Sequence, residues 1–375
     1  MMLSPLGNMM MKRFNVGPSA FASAVAIYGF MAGVGGVLMA GFADRFNRMH
    51  MFVVLGILFL LTSLGCALAT NFEWFLFCRA ASGATGGVLT ASAHAIVADT
   101  VAPERRGSAM ARLGMAFALA SVAGVPLGIF LATTISWSAP FIAIVLAGLL
   151  ALTLFVRYAP SLPVKPSSKA PLQQLWAVLN ERSHWPAYAL SSTLTTASFL
   201  VIPFISVYYL INCGVSEINL SYVYIVGGLA MLLVAPHIGK AADRRGKQKV
   251  FQAIAVFSLL PILLVTHLEY LNPPPVWLCI LSSGAFIVGT SGRYMPALAL
   301  ATGSAKPDMR GGFANINNAL IHFVSSTTTI LLGLLVSPAA KSAGGKIVNY
   351  HFAGYLSCAF VLLAIWVSKR IKEVA

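Results

Sequence analysis

The stretch AGFADRFNR at residues 40–48 returns in degenerate form as GKAADRRGK at residues 239–247. Each copy lies between two long apolar segments and contains an aspartate followed by an arginine. A second pair, PERRG at residues 103–107 and PDMRG at residues 307–311, is separated by a similar interval of roughly 200 residues. An internal repeat of this length, built from apolar segments, is typical of secondary transporters.

The composition of the 375-residue chain identifies the lipid bilayer as its solvent. Hydrophobic residues make up 58% of the chain and charged residues only 9%, and the mean hydropathy is +0.83. A soluble protein of this size carries roughly 25% charged residues. The net charge of +15 would suggest a nucleic-acid partner in a soluble protein. Here the basic residues lie in short loops, as the positive-inside rule describes, so we expect membrane lipids as neighbours and no nucleic acid.

Apolar segments of about 20 residues predict membrane-spanning helices. Eleven such segments lie near residues 19–43, 51–70, 73–99, 108–134, 138–157, 187–211, 218–238, 250–268, 276–302, 312–337 and 352–368. The longest polar interruption is rich in proline and follows the fifth segment, which indicates a linker. We therefore expect an all-α polytopic membrane protein with an N-terminal helical half over residues 1–157, a cytoplasmic linker over residues 158–186 and a C-terminal helical half over residues 187–375.

Two features of this division leave alternatives open. Within the linker, Leu172, Leu175, Trp176 and Leu179 recur at helical spacing. This spacing fits either a short helix lying on the inner leaflet or packing against the halves. The odd number of segments breaks the two-fold repeat, and the apolar start over residues 1–11 resembles the outer end of a further helix. We expect an incomplete first helix, and the alternative is a true eleven-helix protein.

The distribution of lysine and arginine among the loops predicts the orientation. If the loop that holds Asp44 faces the cytoplasm, the loops and ends on that side hold 19 basic residues. The other side then holds only four, at Lys12, Arg13, Lys341 and Lys346. Orientation in the membrane follows this bias. We therefore expect a multi-pass protein of the bacterial inner membrane with a cytoplasmic C-terminus.

These motifs and segments resemble the major facilitator superfamily over the whole chain except for the incomplete first helix. The repeated stretch resembles the family's cytoplasmic motif G-x-L-A-D-R-x-G-R-K. The first copy has Ala40 and Asn47 where the motif has glycine, whereas the second copy retains Gly239 and Gly246. The sequence RAASG at residues 79–83 is similar to the family's R-x-x-Q-G motif, with serine in place of glutamine. The resemblance implies two pseudo-symmetric helical halves that work by alternating access.

A further resemblance concerns the direction of transport. Gly124, Pro126 and Gly128 form GVPLG, which resembles the fifth-helix motif of exporters that work by proton antiport, although it departs from the full G-x-x-x-G-P-x-x-G-G form. This implies efflux of a small organic compound, drug-like or sugar-like, in exchange for protons. An uptake permease of the same fold is the near alternative, and a non-transporting membrane sensor is another.

The resemblance also implies a conformational latch between the cytoplasmic faces of the two halves. It places Asp44 against the helix that begins near Gly312 when the protein opens outward, and pseudo-symmetry pairs Asp243 with the helix that begins near Gly107. Unpaired N–H groups at a helix N-terminus stabilise a carboxylate. The candidate latch residues are Asp44, Arg45, Arg48, Asp99, Asp243 and Arg244. A solvated turn that fixes only the topology is the alternative.

Polar residues inside the predicted spans are candidates for contact with a substrate or coupling ion. Ionisable groups within a bilayer normally face a cavity or a partner. The candidates are Arg79, Thr90, His94, Arg293, Asn315, Asn318 and His322. The charge of Arg293, near mid-span, favours an anionic group, whereas Arg79 is close enough to the end of its span to snorkel. His94 would accept protons near neutral pH, or else pack as a hydrogen-bonded histidine.

Helical spacing sorts the remaining candidates. Arg79, Thr90 and His94 share one face of a helix. Asn315, Asn318 and His322 also follow helical spacing, which fits hydrogen bonding between helices as well as substrate contact.

Several classes of function lack support in the sequence. The predicted spans hold no carboxylate at mid-membrane, so the chain has no evident proton carrier. The five cysteines form no CxxC, and neither GxSxG nor HExxH occurs. We therefore expect no cofactor, no metal site and no enzyme activity; a membrane enzyme, the alternative from another class, would need such a constellation. The expected protein is a monomer that acts on a small-molecule substrate.

Overall fold

The computed structural model describes residues 3, 5–40, 48–101, 120–158, 176, 178–306, 309–336 and 346–371. All regular structure within these residues is helical. The helices are α1 (Gly7–Phe14), α2 (Pro18–Ala40), α3 (Arg48–Ala67), α4 (Phe72–Thr100), α5 (Val125–Thr134), α6 (Ala139–Tyr158), α7 (Trp185–Phe199), α8 (Ile205–Ile211), α9 (Glu217–Arg245), α10 (Lys247–His267), α11 (Val276–Gly303), α12 (Arg310–Leu335) and α13 (Tyr350–Ser368). A π-helical turn, Ala120–Gly124, leads into α5.

Eight helices among the described residues are long and apolar enough to cross a membrane. This confirms the predicted all-α polytopic fold, but it does not confirm the count of eleven. Of the other three predicted spans, 108–134 lies partly outside the described residues and 187–211 is divided into α7 and α8. The segment 73–99 forms most of α4, which has 29 residues but is not among the eight.

The division between α7 and α8 has a local cause in Pro203, which lies in the intervening turn. Proline has no N–H group to donate to the preceding turn of a helix. Hydroxyl groups from α13 satisfy carbonyl groups near this break. Tyr350 donates to the Val201 carbonyl over 2.7 Å, and Ser357 donates to the Ala197 carbonyl over 2.6 Å. Such side-chain donors make a broken helix tolerable in a membrane.

The helices form two packed groups that meet along two main helix pairs. Helices α2, α3, α4 and α6 belong to the first group, and α7, α9, α10, α11 and α13 to the second. Helix α2 packs along α12, which also packs against α7. Helix α5 and its π-helical turn pack along α9, and α1 packs against both α2 and α8. The surface between the groups is therefore built mainly from α2 with α12 and from α5 with α9.

Two sides of the molecule follow from the chain direction. We call the side where α2, α4, α9 and α11 end, and where α12 begins, the basic side, because it includes the arginines and lysines of the α9–α10 turn. The side where α2, α4, α9 and α11 begin is called the opposite side. Both names refer only to positions along the helices.

Candidate transport site and interface between the two helix groups

Glycines hold α2 and α12 in close contact. A Cβ atom added at Gly29 would lie 2.6 Å from the Ser326 hydroxyl oxygen, and one at Gly33 would lie 3.3 Å from the Ala319 carbonyl oxygen. At Gly333, nearer the opposite side, an added Cβ would overlap the Ala22 side chain. The absence of side chains at these glycines therefore sets the distance between the two helices. We call this contact the α2–α12 seam.

The two helix groups are in tight contact on the opposite side. The rings of Phe21 on α2 and Phe204 beside α8 meet edge to face, with their centroids 5.6 Å apart. Both side chains are buried, with 1% and 0% of their surface exposed. A Cβ atom at Gly7 of α1 would lie 2.6 Å from Val207 of α8. These contacts leave no room for a solute between the described residues at this end.

The α2–α12 seam is looser toward the basic side. An added Cβ at Gly36, three residues beyond Gly33, would meet no atom within 4 Å. Leu38, in the next half-turn, is 59% exposed. On α12, Asn315 and Asn318 are both exposed. The described parts of α2 and α12 are thus in close contact on the opposite side, and their residues toward the basic side are more exposed.

Arg79 of α4 lies against the ring of Tyr28 from α2. Its guanidinium carbon is 4.3 Å from the centre of the Tyr28 ring, a cation–π contact. The Arg79 side chain is partly exposed, while its Nε atom is buried and has no hydrogen-bond partner. Among the described residues, Arg79 has neither a carboxylate partner nor a hydrogen bond to any acceptor. Its charge is therefore balanced by no group in the described part of the chain.

Two glycines of α4 fix the position of Tyr28. An added Cβ at Gly83 would overlap the Tyr28 backbone carbonyl, and one at Gly86 would lie 2.7 Å from the Tyr28 hydroxyl oxygen. On the α3 side of α4, Ser82 donates a hydrogen bond to Thr62 over 3.0 Å. Helices α2, α3 and α4 are thereby locked around Arg79. Sequence reasoning missed Tyr28 because an isolated tyrosine in an apolar span carries no motif.

The other candidates on α4 lie away from Arg79. Thr90 is exposed and donates to the Gly86 carbonyl over 2.9 Å. Eleven residues of α-helix separate it from Arg79 by about 16 Å along the axis. The side chain of His94 lies outside the described residues. The structure therefore does not bring Arg79 and Thr90 to one contact point for a small group, although both were predicted on one helix face.

Arg293 lies inside the second helix group and has no exposed surface. Its Nη1 atom donates to the Ser258 hydroxyl of α10 over 2.6 Å, and its Nη2 atom donates to the Ser198 hydroxyl of α7 over 3.4 Å. Its Nε atom has no partner among the described residues. The expectation that Arg293 faces an open cavity does not describe this conformation, because the neighbouring helices enclose the guanidinium completely. Its role in transport stays a prediction.

The polar stripe of α12 divides between the seam and the space beside it. Asn315 and Asn318 are exposed, whereas His322 is half-buried next to Gly29 of α2. The backbone carbonyl of His322 accepts hydrogen bonds from Ser325 and Ser326. Asn317, which sequence reasoning passed over, is 3% exposed and its Oδ1 atom has no partner among the described residues. Asn317 lies between Asn315 and Asn318 in the sequence but on another face of the helix, and this position could have identified it as a further polar candidate.

The candidate latch falls mostly on residues that the structure leaves undescribed. Asp44 and Arg45 lie outside the described residues, as do the side chains of Arg48 and Asp99. Asp243 and Arg244 are exposed in the last turn of α9. Helix α9 ends at Gly246, which has a φ of +88°. The N–H group of Gly246 donates to the Ala242 carbonyl over 3.1 Å. The latch stays a prediction.

The GVPLG motif lies where the two helix groups meet. Gly124 closes the π-helical turn, Pro126 stands in the first turn of α5, and Gly128 is buried. Both the π-helical turn and α5 pack against α9. Proline removes one helical hydrogen bond, and such π-helical turns are frequent at functional sites.

The end of the predicted linker packs against the second helix group. Glu181 and Lys306 form an ion pair of 2.7 Å, and Ser183 donates to the same carboxylate over 3.0 Å. The Lys306 ammonium, and then the Ser183 hydroxyl, hold the pKa of Glu181 below its ordinary value. Val178 is buried against the start of α12, where an added Cβ at Gly312 would lie 2.9 Å from its methyl group. The buried residue of this segment is thus Val178, whereas Trp176 and Leu179 of the predicted apolar stripe are exposed and Leu172 and Leu175 lie outside the described residues.

An aromatic stack extends the linker contact. The Phe313 ring of α12 lies parallel to the Tyr188 ring with centroids 4.9 Å apart, and it meets the His184 ring edge to face at 5.1 Å. His184 is fully buried, with its Nδ1 atom 3.1 Å from the Val178 carbonyl oxygen. We call the contact formed by Val178, Glu181, His184, Lys306 and Phe313 the linker clamp.

Comparison with known proteins places the chain in a family. A family model described as the Major Facilitator Superfamily matches residues 1–329. The chain belongs to the major facilitator superfamily. This superfamily member is 32% identical to the MFS-type transporter YwfA of Bacillus subtilis (strain 168) over 137 residues, which cover 36% of this chain and 33% of YwfA.

Longer matches give the same family. The multi-drug resistance efflux pump PmrA of Streptococcus pneumoniae serotype 4 is 24% identical over 356 residues, which cover 88% of this chain and 82% of PmrA. Among solved structures, a D-xylose–proton symporter superposes with a TM-score of 0.79 at 16% identity, over 99% of this chain and 94% of that chain. At this identity the likeness concerns the fold alone.

The superfamily assignment settles the class of activity. Its members transport small-molecule substrates and are not enzymes, so this chain is a multi-pass membrane transporter. Within the described residues, no three His, Cys, Asp or Glu side chains are placed to hold a metal ion.

Proposed function

We propose that this superfamily member exports small organic compounds, drug-like or sugar-like, across the bacterial inner membrane in exchange for protons. The similarity to PmrA, a multi-drug resistance efflux pump, over 88% of the chain supports export. The GVPLG motif at the contact between α5 and α9 supports the same reading. The bias of lysine and arginine supports a cytoplasmic basic side and a cytoplasmic C-terminus.

The observation that carries the proposal is the difference between the two sides of the contact surface between the helix groups. The described residues are in tight contact at Phe21 and Phe204 on the opposite side, whereas Asn318 is exposed toward the basic side. This is the geometry expected of a carrier waiting for a cytoplasmic solute. In the proposal, residues 1–157 and residues 187–375 rock against each other as two halves, with the glycines of the seam as the sliding surface.

The proposed proton coupling needs a titratable group within the halves. The carboxylates among the described residues, such as Glu73 and Asp243, stand near helix ends. His94 and His322 belong to predicted membrane spans, and histidine is the side chain whose ordinary pKa lies nearest to neutral pH. We assign them as the proton-carrying candidates of the proposed cycle.

The proposed latch closes the cytoplasmic side in the other state of the cycle. A carboxylate at a helix N-terminus contributes roughly 0.3–1 kcal/mol when exposed and up to ~2 kcal/mol when partly buried. Asp44→Asn should therefore shift the population toward the state open on the basic side, whereas Asp44→Glu should have a milder effect. Unchanged turnover in Asp44→Asn would show that Asp44 only forms a solvated turn and is not part of a latch.

Export and uptake are separated by a vesicle experiment. Everted membrane vesicles are energised, and the internal acidity is followed with a pH-sensitive dye while cationic, neutral and anionic aromatic compounds are added in turn. Proton antiport predicts loss of internal acidity with at least one compound, and resistance to that compound in intact cells. Accumulation of the compound by intact cells would instead support an uptake permease.

A further inference from the structure

The guanidinium group of Arg79 forms a cluster of hydrogen-bond donors without an acceptor. Its N–H groups cannot act as acceptors, and its Nε atom is buried without a partner. The ring of Tyr28 lies beneath this guanidinium, and the Tyr28 hydroxyl also makes no hydrogen bond to a described residue. A buried positive charge without a counter-charge is costly, so such groups normally face a partner or a cavity.

Arg293 shows how this fold satisfies an arginine internally. Ser258 and Ser198 provide hydroxyl oxygens at its two terminal nitrogens, and the side chain is completely enclosed. No hydroxyl or carboxylate of the described residues accepts a hydrogen bond from Arg79. The nearby hydroxyl of Ser82 is engaged with Thr62 on the other side of α4. The partial exposure of Arg79 leaves a route for a partner that does not belong to the chain.

The environment of Arg79 also indicates which chemical groups a partner would need. The Tyr28 ring lies under the guanidinium, and Gly83 and Gly86 hold the ring against α4. A guanidinium is planar and presents parallel N–H groups that match the two oxygens of a carboxylate. The Tyr28 ring also offers an apolar face to an aromatic or planar organic group.

We propose that Arg79 and Tyr28 recognise the carboxylate group of the transported solute, so that the substrate class is a small organic acid. The assignment rests on the proposed transport function and names the substrate class at that same site. Arg79 supplies the charge-assisted hydrogen bonds, and the Tyr28 hydroxyl supplies a further donor. Gly83 and Gly86 act as positioning residues because they leave the space that Tyr28 occupies.

The binding experiment uses the purified full chain in detergent and follows thermal unfolding. Salicylate is the probe, salicylamide is its uncharged counterpart, and inorganic phosphate is the small-anion control. We expect salicylate to raise the unfolding temperature of the wild type in a saturable manner, and salicylamide and phosphate to have no such effect. Equal stabilisation by salicylate and salicylamide, or none by salicylate, would overturn the proposal. An Arg79-dependent response to phosphate alone would assign the site to an inorganic anion and overturn the organic acid.

Variants test whether the response depends on these residues. Arg79→Gln should weaken salicylate binding roughly tenfold or more, since hydrogen bonds to a charged group are lost. Arg79→Lys should be intermediate because the charge stays and the planar fork is lost. Tyr28→Phe keeps the ring and should produce a smaller loss. Arg13→Gln, a matched loss of charge at an exposed position of α1, should bind as the wild type does; unchanged binding in Arg79→Gln would refute the assignment.

A transport measurement separates the failure of this proposal from the failure of the proposed function. If the wild type binds salicylate through Arg79 but neither everted vesicles nor cells show movement of any solute, the transport proposal fails and the anion site stands. If the wild type exports aromatic compounds and Arg79→Gln exports them at the same rate, the anion site fails and the transport function stands.

Discussion

The two interior arginines share a residue type and have opposite environments. Arg293 is enclosed by α7, α10 and α11 and donates to two serine hydroxyls. Arg79 lies on an aromatic ring, is partly exposed and has no acceptor among the described residues. Depth in the membrane therefore does not tell a ligand-binding arginine from an enclosed one. The two kinds of arginine differ in whether hydrogen-bond acceptors surround the guanidinium.

The largest expected effect comes from moving the ring under Arg79. In Gly83→Ala the new methyl group would overlap the Tyr28 carbonyl, so α2 and α4 must separate. Overpacking of this kind costs roughly 1–3 kcal/mol. We expect a lower thermal unfolding temperature and loss of Arg79-dependent binding. Gly36→Ala, which meets no atom within 4 Å, is the matched control and should unfold as the wild type does. Equal stability of the two variants would show that α4 does not depend on this contact.

The next effect concerns the enclosed arginine. Arg293→Gln should reduce export at least about tenfold while membrane abundance stays near that of the wild type, if Arg293 becomes exposed to solute or coupling ion during the cycle. Arg293→Lys should rescue only in part, because an ammonium cannot bridge Ser258 and Ser198 with a planar fork. The measurement is initial export rate in everted vesicles, normalised to the amount of protein. Wild-type export by Arg293→Gln would make Arg293 purely structural and sharpen its contrast with Arg79.

The class of fold could be predicted from the sequence because a chain dissolved in lipid needs long apolar segments. Apolar segments of membrane length and the repeat around Asp44 and Asp243 were sufficient for a polytopic transporter fold. The division of the sixth predicted span was not foreseen, although Pro203 was visible. The hydroxyl of Tyr350 from another helix satisfies a carbonyl near this break, and a single sequence does not show such a contact.

The candidate site was less accessible to sequence reasoning than the fold. Arg79 and Arg293 were both selected because buried charge is costly. Their different surroundings depend on Ser258, Ser198 and Tyr28, which come from other helices and carry no motif. Helix periodicity likewise placed Arg79 and Thr90 on one face, but it gave no information about their separation along the axis. Contacts between helices therefore supply most of what distinguishes one polar residue from another.

The smallest expected effect concerns the linker clamp. The pKa of Glu181 is held low by Lys306, so the ion pair stabilises the clamp at neutral pH, and this contribution is lost as the pH falls through the folded-state pKa. Exposed ion pairs contribute little, and Val178 and Phe313 should keep the clamp docked. We expect slightly faster proteolysis of the linker in Glu181→Gln at pH 7 and restored protection in the charge-swapped double variant Glu181→Lys with Lys306→Glu.

The control for the clamp is Glu73→Gln, because Glu73 is an exposed carboxylate on the opposite side. It should leave linker proteolysis unchanged at every pH. A linker equally protected in Glu181→Gln and the wild type would show that the apolar contacts alone hold it.

The most direct test of the proposed alternating access is site-directed labelling from each side of the membrane. In a protein whose five native cysteines are replaced by alanine, single cysteines are introduced as Asn318→Cys and Ala22→Cys. Ala22 is buried and Asn318 is exposed in this conformation. We expect a membrane-impermeant maleimide to label Asn318→Cys in everted vesicles but not in right-side-out vesicles, and we expect Ala22→Cys to resist labelling from both sides. Labelling of Asn318→Cys only in right-side-out vesicles would contradict the predicted orientation, and rapid labelling of Ala22→Cys would contradict the closed side of the seam.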